Sequence, residues 1–292
     1  MSNPFTMNES TATDASGRPD EAEGDRTQRG IQSIEVGGQL LKALVHHGRP
    51  MALKDLAQGA DMTPAKAHPY MVSFGRLGLV EQDRSSGHYR LGPLALQLGL
   101  IGLQQADPVH VATPLLAGLA REVGHTVAIA VWGDRGATIV RLAEAPSPVH
   151  VNMRHGTVFS LTNTASGRLF GAYLPADTVR ALLEAERRRA PKEAAERALP
   201  GMPPPQPLPG WAAFEAQLAE VRAHGLSRSE GEIVPGVSAM SAPVFDHTGA
   251  IVLGVTAIGP AGIFDSRWNG ATARALKACA NEISQRLGAR GG

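Results

Sequence analysis

The chain has 292 residues, 43% of them hydrophobic, and its 28 Lys and Arg nearly balance its 27 Asp and Glu, giving a formal net charge of +1. This length predicts two domains with sizeable cores, and the near-neutral balance excludes a strongly basic coating protein but not a local DNA-binding face. The lone cysteine, Cys279, excludes an internal disulfide and a multi-cysteine metal site, which is typical of a reducing compartment.

The N-terminal segment 1–30 is rich in Ser, Thr, Asp, Glu and Gly and poor in large apolar residues, so we expect a disordered tail. It lacks the apolar core of a secretory signal. The sequence also has no apolar run near the roughly 20 residues that a membrane helix needs. We therefore expect a cytoplasmic protein with no membrane partner.

Residues 31–92 have the pattern of three helices followed by a hairpin. Apolar residues recur at helical spacing in IQSIEVGGQLLKAL and again in MALKDLAQGADM. Thr63 before Pro64 is a strong helix start, with a capping hydroxyl and a proline at the first helical position. The strand-like runs LGLVEQ and HYRLG then flank the turn DRSSG. This order is typical of a winged helix-turn-helix DNA-binding domain.

The segment 93–106, PLALQLGLIGLQQA, is predicted to be a connecting helix, and its apolar composition predicts that it is buried. In residues 107–292, strand-like runs such as HTVAIAVWG, GVSAMSAPVFD and AIVLGVTAIG alternate with helical ones such as ASGRLFGAYL and ADTVRALLEAERRR. Strands in the middle with helices before and after predict an α+β sensor-like domain. The run SPVHVNM is predicted to be a further strand.

From about Ile31 to Leu287 the chain resembles IclR-type transcriptional regulators. The resemblance rests on IQSIEVGGQLLKAL, RLGLVEQDRSSGHYRLG, LTNTASGRLFGAYLP and GLSRSEGEIVPGVSAMSAPVFD. The last segment is the most specific. It agrees with the family pattern at every fixed position, namely Gly225, Ser229, Glu232, Ala239, Met240, Ser241, Val244, Phe245 and Asp246.

The resemblance implies an α+β fold class in which a winged helix-turn-helix is joined by a helix to a GAF/PAS-like antiparallel-sheet domain. The first domain would bind a double-stranded DNA operator, and the second would hold a small-molecule effector and carry oligomerisation as a homodimer or homotetramer. Family effectors are often organic acids and aromatic catabolites, so control of catabolic genes is expected. Members repress or activate transcription, and no cofactor is implied.

Candidate DNA contacts lie around the third helix and the wing. Family members usually begin this helix with Lys-Ser-Thr-Ala-His-Arg, where this chain has PAKAHP at 64–69. An ordinary solvated hairpin is the alternative interpretation for the wing residues. The residues that we expect to contact DNA are Lys54, Thr63, Ala65, Lys66, His68, Pro69, Arg84, His88 and Arg90.

Pro69 stands where the family usually has an arginine. A proline inside a helix costs about 3 kcal/mol, and less where the first turn is loose. Three interpretations stay open: a tolerated proline in a kinked helix, a kink that re-aims Lys66 and His68 into the groove, or weakened DNA binding. We expect binding to survive with altered sequence preference, because a bidentate base contact is worth about 1–3 kcal/mol of discrimination.

Candidate effector contacts begin at Thr164, Ala165, Ser166 and Gly167, where small residues at a helix start offer backbone N–H groups to a carboxylate. The alternative there is an ordinary capped helix. The small and uncharged lining predicts a compact neutral or monoanionic ligand. The polar residue Ser229 is expected to complete the wall. Two strand pairs, Val237 with Ala239 and Thr256 with Ile258, each alternate so that the pair points to one face of its strand. The apolar floor is expected to be formed by Val151 and Met153.

Motifs of catalysis are absent from the sequence: we find no GxxxxGK[ST], HExxH, paired CxxC, GxSxG, or GxGxxG after a strand. We therefore expect no enzyme activity. A metal site formed by His125, His150 and His155 is a minor alternative. A second alternative is a protein-interaction or sensor module that has lost specific DNA binding, with the proline-rich segment 200–209 as a docking loop.

Overall fold

The computed structural model describes residues 30–146, 154–197, 207–232 and 234–289, and the chain divides after Gly102 into two compact units. Several predictions fall outside the described residues. These are the tail up to residue 29, the strand predicted for SPVHVNM with Val151 and Met153, and most of the proline-rich segment.

The N-terminal unit confirms the winged helix-turn-helix. Three helices precede a two-stranded antiparallel hairpin, in which Val80 pairs with Leu91 and Gln82 with Tyr89. The elements are α1 (Gln32–His47), α2 (Leu53–Gly59), α3 (Pro64–Leu77), β1 (Val80–Gln82) and β2 (Tyr89–Leu91).

The core of this unit forms where α1 crosses α3 at a glycine. A Cβ atom placed on Gly37 would lie 2.9 Å from Cδ1 of Tyr70 and 3.0 Å from Phe74, so only glycine permits this approach of the two helices. Tyr70 is therefore a packing residue and not a free DNA contact. The fully buried side chains beneath are Leu40, Leu56, Ala67 and Met71.

The connecting helix, α4 (Pro93–Gln105), is exposed along its length. The N–H of Leu94 donates to the carbonyl of Gly78 at 3.0 Å, which fixes the start of the helix beside the wing. No residue of α4 is buried, and the side chain of Leu96 is 65% exposed. The predicted burial is therefore wrong for a single chain, because no described element covers this helix. An apolar composition does not distinguish a helix that is buried within its own chain from one that is buried against a second chain.

The C-terminal unit is a six-stranded antiparallel sheet in the order β5-β4-β3-β8-β7-β6, with helices on both faces. This arrangement confirms the α+β class with an antiparallel sheet. The elements are α5 (Pro108–Val123), β3 (Thr126–Gly133), β4 (Gly136–Ala143), β5 (Val158–Phe159), α6 (Ala165–Tyr173), α7 (Ala176–Arg197), α8 (Trp211–His224), β6 (Ser227–Glu230), β7 (Val237–Phe245), β8 (Ile251–Pro260) and α9 (Ala271–Arg286).

The two faces of the sheet have different partners. Alternate residues of β7, such as Met240 and Ala242, join the large apolar core shared with α5 and α9. The intervening residues, such as Ala239 and Ser241, face α6 on the opposite side. The first face is mostly apolar, whereas the second carries the hydroxyl groups of Ser241 and Thr256 beside α6, so the second face is the one suited to a ligand.

Candidate DNA-binding and effector sites

The third helix exposes most of the predicted DNA contacts on one side. Thr63 caps it, because its hydroxyl accepts the N–H of Lys66 at 3.3 Å. Lys66, His68 and Pro69 are exposed, whereas Ala67 between them is fully buried. Ala65 on this helix and Lys54 on α2 are exposed as well.

Pro69 lies within an unbroken helix. The α-helical assignment runs from Pro64 to Leu77, and the hydroxyl of Ser73 donates to the carbonyl of Pro69 at 3.0 Å. Pro69 has no N–H to donate to the carbonyl of Ala65, and this carbonyl lies on an exposed residue where solvent can satisfy it. The helix therefore continues through Pro69, as a tolerated proline requires, and the three interpretations of its effect on DNA binding stay predictions.

The wing turn is held by the carboxylate of Asp83. One carboxylate oxygen accepts the hydroxyl of Ser85 at 2.5 Å and the N–H groups of Ser85 and Ser86 at 2.7 and 2.9 Å. These bonds, the Ser85 hydroxyl first, hold the pKa of Asp83 well below its ordinary value. The fixed turn presents Arg84 to solvent, and His88 is half-buried beside it.

Arg90 is not a free cation. It lies directly opposite Glu81 in the hairpin register, and its Nη2 and Nε lie 3.0 and 3.2 Å from Oε2 of Glu81. Among the described residues, no carboxylate pairs with Arg84 in this way. Six residues, 83–88, separate the two strands, whereas the predicted five-residue turn DRSSG would have placed Glu81 opposite Tyr89, so the sequence prediction did not give this cross-strand pair.

The candidate effector site begins at the N-terminus of α6. The hydroxyl of Thr164 accepts the N–H of Gly167 at 2.8 Å and donates to the carbonyl of Ser160 at 2.7 Å. Ala165 and Ser166 are buried, and within the described residues their backbone N–H groups have no acceptor. Two buried donors at the positive end of a helix favour an anionic group.

Three buried hydroxyls lie where α6 meets the sheet. The Oγ1 of Thr256 is 2.9 Å from the Oγ of Ser166 and 2.8 Å from that of Ser241, which is its partner across β7 and β8. Ser166 and Thr256 were among the predicted effector contacts, whereas Ser241 was not. Extending the Val237 and Ala239 alternation by one step would have found it.

The rest of the predicted wall is apolar and compact. Ala165, Ala239 and Ile258 form one buried cluster, against which Phe159 and Val237 pack. Ser229 lies opposite Ala239 in the register of β6 and β7, so its side chain shares this face of the sheet. The structure therefore brings all described candidates together. Phe159 was missed because it belongs to a two-residue strand without a sequence signature.

Glu186 on α7 anchors the loop before α6, and sequence analysis missed it. Its carboxylate accepts the hydroxyls of Ser160 and Thr162 at 2.6 and 2.7 Å and the N–H of Leu161 at 2.7 Å. A Cβ placed on Gly167 of α6 would overlap the carbonyl of Ser160 in this loop, so the loop and the helix are in close contact. A glutamate so distant in sequence gives no local signal of this role.

Two clefts in the described part of the chain lie away from this site. One, of about 180 Å³, lies between α3 and the wing and includes His68 and Gly75. The other, of about 590 Å³, is a shallow depression around Trp268.

Within the described ranges no three His, Cys, Asp or Glu side chains are grouped to hold a metal, and no helix has the length and apolarity to cross a membrane. His150 of the alternative metal site lies outside those ranges.

Comparison with known proteins identifies the family. The model described as "IclR helix-turn-helix domain" matches residues 33–84, and "Bacterial transcriptional regulator IclR C-terminal" matches residues 102–285. The chain belongs to the IclR family. The family consists of transcriptional regulators and not enzymes, so this regulator has a DNA-binding helix-turn-helix domain and an effector domain.

Relatives of this regulator cover nearly its full length. The crystal structure of Pseudomonas aeruginosa HmgR is 35% identical, with a TM-score of 0.75, and the match covers 90% of this chain and 100% of that one. The glycerol operon regulatory protein of Streptomyces coelicolor is 28% identical over 89% of this chain and 98% of its own length. The transcriptional repressor IclR of Escherichia coli is 25% identical over 88% of this chain and 90% of its own.

Proposed function

We propose that this regulator binds a double-stranded operator as a homodimer or a pair of dimers, and that a small organic or aromatic acid in the C-terminal unit changes that binding. The buried N-terminus of α6 carries the proposal. There the N–H groups of Ala165 and Ser166, which have no acceptor in the part of the chain that the structure describes, adjoin the hydroxyl cluster and an apolar wall. This combination suits a compact ligand with one acidic group.

The DNA-reading surface in this proposal is the exposed side of α3 together with the wing. Lys66 and His68 would enter the major groove, while Arg84 and His88 would contact phosphates or the neighbouring minor groove. Lys and Arg outnumber Asp and Glu by only seven to five between Ile31 and Gly92. Affinity should therefore depend on salt with a modest slope.

The exposed helix α4 supports self-association. Leu96, Leu100 and Leu103 recur at a spacing of four and three residues, so they form one stripe on the helix. Their side chains are 65%, 52% and 44% exposed in the single chain. A second copy of the helix would cover this apolar stripe, and a dimer would place two recognition helices on two half-sites.

The effector would change DNA affinity by shifting the population between two oligomer geometries. It would bind one geometry more tightly than the other, and the two geometries would differ in the spacing of the recognition helices. The helix α4 connects the two units in sequence and is the segment through which the shift would pass. Several relatives are named for operons, as is the glycerol operon regulatory protein of Streptomyces coelicolor. By analogy, we propose that the genes controlled here are catabolic.

The DNA half of the proposal is tested with a labelled fragment from the region upstream of the protein's own gene. Fluorescence anisotropy at two salt concentrations, with excess non-specific DNA, should give binding that survives the competitor. Lys66→Ala should weaken it and lower the salt slope by about 0.9, whereas Lys42→Ala, on an exposed position of α1, should change neither.

Pro69→Arg, which installs the family's usual residue, should change sequence preference and leave the fold intact. Binding that competitor abolishes, with or without added small acids, would favour a sensor module that has lost specific DNA recognition.

A further inference from the structure

An ion pair between Arg168 and Glu232 connects two walls of the candidate effector site. Arg168 lies one helical turn after Ala165 on α6, and Glu232 follows Ser229 by three residues, just after β6. The Nη2 of Arg168 is 2.8 Å from Oε1 of Glu232. Because Ala165 clusters with Ala239, and Ser229 lies opposite Ala239, the pair lies at the β6 side of the site.

Both members of the pair are held in place. The side chain of Arg168 is 13% exposed, and its Nε points at the carbonyl of Thr164 at 3.5 Å. The second oxygen of Glu232 accepts the N–H of Glu230 at 2.8 Å. A guanidinium so enclosed needs an anionic partner, because an unpaired buried charge is costly. Among the described residues nothing accepts from its Nη1, so donors remain for a second anion.

The candidate residues of the site lack charge. Every candidate effector residue, from Thr164 to Ile258, has an uncharged side chain. Within the described ranges, the paired guanidinium of Arg168 lies beside the site and can tell a carboxylate from a neutral analogue of the same shape. Its planar fork matches a carboxylate in bidentate geometry and adds a full positive charge to the two backbone N–H groups at the start of α6.

We propose that Arg168 recognises the carboxylate of the effector and that this carboxylate replaces Glu232 on the guanidinium. The inference rests on the proposed function and names the ligand class as a monocarboxylate. Glu232 is then an internal competitor, which occupies Arg168 when no ligand is bound. Ligand binding releases the segment that carries Glu232 from α6.

Internal competition predicts opposite effects for the two partners. Arg168→Gln removes the recognition group, so carboxylate affinity should fall by about tenfold or more. Glu232→Gln removes the competitor, so carboxylate affinity should rise by about threefold or more. A purely structural bridge gives a different result, because losing either partner would disturb the site and weaken binding in both variants.

The test is calorimetric titration of the full-length protein with benzoate, phenylacetate and butyrate, and with benzamide, phenylacetamide and butyramide as neutral counterparts. Wild type is compared with Arg168→Gln, Glu232→Gln and the double variant, whose two amides keep a neutral hydrogen bond. Arg187→Gln breaks an exposed pair with Glu184 on α7 and serves as the matched control. Thermal unfolding of each variant establishes that it is folded.

The proposal expects carboxylates to bind wild type more tightly than amides, Arg168→Gln to reduce that preference by about tenfold or more, and Glu232→Gln to increase it. Equal binding of acids and amides overturns it, as does weaker carboxylate binding by Glu232→Gln. Absence of carboxylate binding by both wild type and Glu232→Gln also overturns it. Operator binding is measured with the same wild-type preparation. If the operator binds while carboxylates do not, this inference fails and the proposed DNA-binding function stands.

Discussion

The hydroxyl of Ser166 lies 2.9 Å from that of Thr256, although ninety residues separate the two in sequence. Thr256 also contacts Ser241, so one hydroxyl connects α6 to two neighbouring strands of the sheet. Buried polar groups of this kind are stable only when each has a partner. Ser166 itself belongs to the first turn of α6, so this hydroxyl cluster adjoins the start of that helix.

Replacing Thr256 by valine keeps the shape and removes the shared hydroxyl. Ser166 and Ser241 then lose a partner while remaining buried, so the free energy of unfolding should fall by about 1–3 kcal/mol. Urea unfolding followed by circular dichroism measures the change. Thr178→Val, at an exposed position of α7, is the control and should change stability little. An unchanged midpoint for Thr256→Val would mean that the hydroxyls contribute no net stability.

Glu81 neutralises Arg90 in the wing, so Glu81→Gln should strengthen DNA binding. Removing the carboxylate frees a guanidinium on a surface expected to face phosphates, and the slope of log affinity against log salt should steepen by about 0.9. Anisotropy with a random duplex at several salt concentrations measures both quantities. Arg90→Gln in the same background should reverse the gain; if the gain persists, Arg90 is not its source.

The exposed stripe on α4 should control self-association. Leu100→Lys places a charge on the apolar stripe and should shift the protein toward monomer in sedimentation equilibrium. Gln97→Lys adds the same charge to the same helix at an exposed polar position and should leave the mass unchanged. If both variants keep the wild-type mass, α4 is not a required part of the interface.

Cys279 should resist thiol reagents in the folded protein. Burial, followed by the charges of Glu282 and Glu122, raises the pKa of its thiol to about 11, so the thiolate fraction at pH 8 is about one in a thousand. Labelling at pH 8 should be slow until denaturant is added. The pKa of the thiol is higher in the folded protein than in an exposed thiol. Its contribution to the free energy of unfolding is therefore fully present below about pH 8.5 and is lost as the pH rises toward 11. Rapid native labelling would contradict this burial.

The sequence predicted local features better than distant ones. The cap at Thr63, the hairpin and the start of α6 depend on neighbouring residues, and each lies where predicted. Glu186 and Ser241 were missed because their roles depend on contacts that only the folded chain creates. The burial predicted for α4 is not found within the single chain for a related reason, since composition shows that an apolar surface needs cover without showing what supplies it.

The most direct test of the account is the thermodynamic link between the two units. Operator affinity is measured with and without a saturating carboxylate identified by calorimetry, and the affinity for that carboxylate is measured with and without operator. The account predicts that each changes the other by the same factor, about fivefold or more. A carboxylate that binds the protein but leaves operator affinity unchanged would contradict it, because binding at the sensor site would then have no effect on DNA.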